Sequence, residues 1–152
     1  MPSVPSLRTD VVLRGEETGG HVSVTEIVVP SNSAGPPLHT HDFDETFYLL
    51  EGEILFHVDG VEHAAGEGDT VSVPRGTPHA FMVTSEVARF LVLNTPGTHD
   101  AYFRDGGEPA THRDFAAAPP PDLARLAASN REHGVEMLGP PPFASQVAAE
   151  DR

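Results

Sequence analysis

The feature that most constrains this chain is the rhythm of its turns. Between residues 21 and 93, apolar runs of strand length are cut by Gly, Pro, Asp and Ser clusters at a spacing of roughly 8–12 residues. His21 to Val29 alternates, with Val22, Val24 and Glu26 on one face and Ser23, Thr25 and Ile27 on the other. Glu45 to Leu50 is densely apolar, and Glu51-Gly52-Glu53 turns the chain into Ile54 to Val58. Asp59-Gly60 is a strong hairpin signal before Val61. Thr70 to Val73, His79 to Thr84 and Val87 to Leu93 complete the series, with Pro74 to Pro78 forced to turn. No stretch between these runs has the length and period of a crossover helix, which argues against a parallel α/β sheet. The pattern predicts an all-β sandwich or barrel, and the 15 prolines and 14 glycines fit many short strands.

Length and charge narrow the function classes. A chain of 152 residues is one domain by size and long enough for a real core. Its formal charge is −14, with nine basic residues, all arginine. That balance repels phosphate backbones and anionic lipid, so no nucleic-acid or membrane partner is expected. With no cysteine, disulfides, thiolate catalysis and zinc-finger sites are excluded. Met1 to Arg8 lacks the apolar run of a signal peptide, and no later stretch approaches a membrane span, so the expected location is cytoplasmic.

The expected barrel occupies 1–97, with its core at about 22–93, and 98–152 reads as a partly helical extension. Asp100 to Asp105 could form a short helix, and Ala116 to Pro121 is a stiff linker. A second helix is predicted over Asp122 to His133, capped by Asp122, striped by Leu123, Leu126 and Ala127, and stopped at Gly134. It is short enough to need packing on the barrel or on a partner subunit.

One stretch, Gly35 to Gly52, carries the chemistry. His39, His41 and Glu45 are all odd-numbered, so in extended backbone they can share a face. Two imidazoles and a carboxylate suit a divalent first-row metal ion. His79, after the turn Pro74-Arg75-Gly76, is positioned to return to the same interior as a further ligand. Phe47 and Leu49 share the parity of Glu45, and Phe81 and Val83 that of His79, so these four could line an apolar pocket. His57 alternates out of phase with Ile54, Phe56 and Val58, which places it outside; His21, His63, His99, His112 and His133 sit beside turns or in the tail and read as surface residues.

The joint spacing resembles the cupin family. The family's first motif is matched by His39-Thr40-His41, Glu45 and Gly52, and its second by Gly68, Pro74-Arg75-Gly76 and His79. The leading Gly35 stands closer to the histidines than in the family, and Val83 replaces an Asn. Thr95-Pro96-Gly97 followed by Tyr102-Phe103-Arg104 resembles a segment of the small single-domain cupins grouped with quercetin dioxygenases. The resemblance implies an antiparallel jelly-roll barrel, often a homodimer, holding one metal per chain through His39, His41, Glu45 and His79. It also implies a dioxygenase using Fe(II), with Mn, Ni or Zn as alternatives, and a small cyclic or aromatic substrate of enol, catechol or flavonol type. Glu45 would be either a fourth ligand or the catalytic base. The alternatives are a non-redox isomerase or polyketide cyclase using the metal as a Lewis acid, or a small-molecule-binding cupin.

Overall fold

The computed structural model describes residues 8–30, 37–97, 123–132 and 134–143. Alternation is what builds it. Ten strands form two antiparallel five-stranded sheets that bury their inward parities against each other, a jelly-roll architecture. In chain order the strands are β1 (Arg8–Leu13), β2 (Ser23–Pro30), β3 (Leu38–Thr40), β4 (Asp44–Glu51), β5 (Ile54–Val58), β6 (Val61–Ala65), β7 (Thr70–Val73), β8 (His79–Val83), β9 (Val87–Thr95) and β10 (Glu136–Gly139). A helix, α1 (Leu123–Glu132), precedes β10. The first sheet runs β1-β2-β9-β4-β7 and the second β10-β3-β8-β5-β6. Among the described residues no helix is long and apolar enough to cross a membrane.

Register sorts the interior into levels. In the first sheet Ser23, Asn94, Glu45 and Val73 face one another across four strands. One step along lie Thr25, Val92, Phe47 and Val71, and a further step brings Ile27, Phe90 and Leu49 into line. In the second sheet His39, His79 and Val58 share a level, followed by Phe81 with Phe56 and then Val83 with Ile54. The interior is therefore polar at one end and apolar beyond it. Phe47, Phe56, Phe81 and Phe90 interlock at centroid separations of 4.9–6.1 Å, the range in which tilted aromatic pairs attract.

The predicted hairpin at Asp59-Gly60 forms, with φ of +49° and +81°, the mirror-image turn whose twist matches that of its strands. The predicted second helix forms as α1. Gly134 has φ +71° and Val135 N–H donates to the Asn130 carbonyl at 2.8 Å, a left-handed helix ending. The cap Asp122, the side chains of Leu123, Leu126 and Ala127, and the Asp100–Asp105 segment lie outside the described residues. The pattern gave no sign of β10, which pairs with β3 and puts Met137 opposite His39. His57 does point away from the core, but it is not bare: the buried Phe143 meets its ring edge-on at 6.2 Å.

The aromatic cluster fixes one expectation. Phe90 is completely buried between Phe47 and Phe81. Phe90→Ala should lower unfolding free energy by about 3–5 kcal/mol, a large part of a typical domain's total. Urea denaturation followed by circular dichroism measures it.

Candidate metal centre

Prolines and local hydrogen bonds prepare the histidines. Pro37 precedes His39 by two residues and Pro78 precedes His79 by one, holding the approach to each strand extended. His39 Nδ1–H then donates to the Pro37 carbonyl at 2.8 Å, and His79 Nδ1–H to the Thr77 carbonyl at 2.9 Å. His41 Nδ1–H donates forward to the Phe43 carbonyl at 3.1 Å. Carbonyl oxygens only accept, so each Nδ1 carries a proton and each Nε2 is the nitrogen turned toward the cluster. The Phe43 ring also stacks on the His41 ring at 3.8 Å, only 3° from parallel.

The two motif stretches are joined by their turns. Gly76, at φ +75°, donates its N–H to the His41 carbonyl at 2.9 Å; the left-handed backbone there suits glycine and strains any other residue. Next to it, Arg75 N–H donates to Asp44 Oδ1 at 2.9 Å and its guanidinium reaches Asp44 Oδ2 at 3.2 Å. The hydrogen bonds from Arg75 hold the Asp44 carboxyl below its ordinary range. The turn that launches His79 is thus anchored to the segment carrying His41 and Glu45.

The outcome is a single buried cluster. His39 and His79 come from paired strands of the second sheet, Glu45 from the first, and His41 from the crossing between them. The nitrogens of His39, His41 and His79 lie within 4.8 Å of one another. Glu45 Oε2 stands 3.1 Å from both His41 Nε2 and His79 Nε2. All four side chains are buried, at 2–9% exposure.

That donor set fits a cation. With Nδ1 protons committed to carbonyls, the Nε2 atoms of the three imidazoles converge on one another and on a carboxylate oxygen. A positive ion satisfies all of these atoms together, in the pattern of histidine ligands oriented by hydrogen bonds on their other nitrogen. His39, His41 and His79 could hold such a metal ion. Burial, followed by the nearness of His79, lowers the pKa of His39 from 6.5 to about 4, which keeps it neutral at physiological pH.

The expected pocket residues divide by depth. Phe47 and Phe81 lie one inward step beyond Glu45 and His79, and Leu49 and Val83 two steps, about 13 Å along the strand. All four belong to the continuous hydrophobic core. A cleft of about 290 Å³ lined by Glu53, Leu55, Ala64 and Thr84 opens at the opposite end of the sheets; no histidine lines it. His21 and His63 are exposed, as expected, and His99, His112 and His133 lie outside the described residues. Sequence reasoning missed Phe43, the Asp44–Arg75 tie and Met137. Only the first had a visible signal, an aromatic inside an acidic bend.

With geometry and register in place, the class follows. Residues 25–94, a little under half of the chain, match the cupin domain family. The chain is 33% identical over 82 residues to quercetin 2,3-dioxygenase of Bacillus subtilis, a match covering 53% of this chain and 24% of that protein. It is 37% identical over 83 residues to acireductone dioxygenase of Gluconacetobacter diazotrophicus, covering 45% and 44%. The chain therefore spans less than half the length of these curated relatives. Among solved structures it is similar to the polyketide cyclase RemF from Streptomyces resistomycificus, at TM-score 0.54 and 26% identity over 62% of this chain and 68% of that one.

The lowered pKa of His39 has a consequence for the metal-free protein. The unfolded chain takes up this proton near pH 6.5, the folded one only near 4. As pH falls through that window the unfolded state binds more protons, so stability drops, by about 3 kcal/mol for this group; above the window this contribution is fully present. Urea titrations of EDTA-treated protein across the window should show the fall, and a flat or rising stability would contradict it.

Proposed function

We propose that this protein is a metal-dependent dioxygenase of a small cyclic or aromatic substrate bearing an enol, catechol or flavonol-like oxygen. The observation that carries this reading is the convergence of three oriented imidazoles and one carboxylate oxygen in a buried site beside aromatic side chains. Similarity to two proteins named as dioxygenases supports it. Fe(II) is the proposed ion, with Mn, Ni or Zn as alternatives; when bound it would bring a substrate oxygen and dioxygen together.

The chain's residues have separate tasks in this proposal. His39, His41 and His79 hold the ion through Nε2. Glu45 receives the substrate hydroxyl proton at Oε2, with ligation as its other candidate role, since a carboxylate at a metal can serve both. Phe47 and Phe81 give the interior an apolar wall that excludes water and favours a flat ring. Leu49 and Val83, deeper, support that wall.

A second reading has its own support in the likeness to a polyketide cyclase. In it the same ligands serve a Lewis acid and no dioxygen is consumed. Oxygen-electrode measurements on anaerobically purified, iron-loaded protein with enediols, catechols and flavonols separate the two. Uptake of dioxygen with a ring substrate supports the first; full turnover with zinc and without dioxygen selects the second.

Two substitutions check the roles. His41→Ala should abolish stoichiometric metal in elemental analysis while far-ultraviolet circular dichroism stays unchanged; retained metal would mean the site is misassigned. Glu45→Gln should keep the metal, because three histidines remain, and reduce kcat by about 10²–10⁴-fold. Loss of metal with Glu45→Gln would instead make Glu45 a ligand.

A further inference from the structure

The inner face of the first sheet holds three polar side chains that the metal centre does not use. Ser23, Thr25 and Asn94 are each 0% exposed. Ser23 Oγ, Thr25 Oγ1 and Asn94 Oδ1 have no hydrogen-bond partner, and Asn94 Nδ2 donates to the Asp44 carbonyl at 3.4 Å. Buried polar atoms in native proteins are nearly always paired. Of the other orphaned atoms, Thr40 Oγ1 and His57 Nδ1 belong to strand side chains of the outward parity, and Asn130 Oδ1 lies on α1. These three gather on one inward face.

Their place in the register is informative. Ser23 pairs with Asn94 and Asn94 with Glu45, so the three form one inward-facing row. Neighbouring strands lie about 4.8 Å apart, which puts Asn94 about 5 Å and Ser23 about 10 Å from Glu45 across the sheet. Thr25 follows Ser23 on the same face, in line with Val92 and Phe47. A polar row thus begins at the carboxylate of the metal centre and runs sideways along the interior, with Phe47 bordering it.

The atoms specify what they would bind. Two hydroxyls can each donate and accept, while Asn94 Oδ1 only accepts. Together they match a ring edge bearing hydroxyl or carbonyl oxygens and leave a hydrocarbon edge with three unmet groups, the situation in which a site discriminates most sharply. We propose that Ser23, Thr25 and Asn94 form a substrate-orienting subsite that hydrogen-bonds the oxygenated far edge of a ring whose near edge sits at the histidine cluster. This rests on the oxygenase reading and narrows its substrate to rings oxygenated at both edges.

A subsite of this kind has a signature that a structural role lacks. If these groups wait for a ligand, the free protein carries them unsatisfied, and apolar isosteres relieve it. The test uses zinc-loaded protein without dioxygen, titrated by absorbance with quercetin and with the parent flavonol. Both share a keto-enol edge; quercetin adds hydroxyls on the other rings. Wild type should prefer quercetin roughly tenfold. Thr25→Val and Ser23→Ala should each weaken that preference, and combined with Asn94→Leu they should abolish it. Affinity for flavonol and zinc content should stay unchanged. In the free protein, the melting temperature of Thr25→Val should hold or rise, and Thr25→Ser should retain the preference. Equal affinities in wild type, or a preference that survives Thr25→Val and Ser23→Ala, overturns the subsite and leaves the metal centre standing. Failure of both flavonols to bind overturns the subsite, and the oxygenase reading then stands or falls on the oxygen-uptake test with enediols and catechols.

Discussion

Everything at the candidate metal centre depends on three hydrogen bonds that point away from it. Each imidazole donates its Nδ1 proton to a main-chain carbonyl two residues off. The acceptors cannot be altered by any side-chain substitution, so ring orientation and tautomer are written into the backbone. What side chains do is set the path of that backbone, through Pro37 and Pro78 and through the stack of Phe43 on His41. Desolvation then completes the work by keeping His39 neutral, with its Nε2 lone pair available.

A second constraint decides where the histidines meet. His41 and His79 are far apart in sequence, and the fold brings their turns into contact through the Gly76–His41 and Arg75–Asp44 hydrogen bonds. The Asp44–Arg75 pair is exposed, so its ion-pair energy is small. Its importance is geometric: it extends the β4–β7 pairing into the turn that leads to His79. The aromatic cluster below supplies the cohesion.

Much of this was legible before any coordinates. Parity placed His39, His41 and Glu45 on one side, and the Pro-x-Gly turn returned His79 to the same interior, because strand alternation and turn chemistry are local properties. The expected pocket was less so. Parity correctly turned Phe47, Leu49, Phe81 and Val83 inward, but it carries no depth, and Leu49 and Val83 are two steps further into the core than the ligands. Alternation also separated Ser23 and Thr25 from Val22 and Val24 without saying which face was buried; the more hydrophobic parity would have been the natural choice, and the structure buries the polar one. Long-range pairings left no periodic trace, which is why Met137 beside His39 and Phe143 over His57 came only with the fold.

The pairing of β10 with β3 reaches beyond packing. β3 is only three residues long and joins β8 through His39 and His79 alone, so its other edge is held by the tail strand. One backbone segment is therefore shared by the candidate ligand His39 and by the C-terminal extension. Free energies coupled through a shared element are reciprocal: whatever steadies His39 also steadies the tail, and whatever peels the tail away loosens His39. The pairing of β10 and the posture of His39 are two readings of one equilibrium.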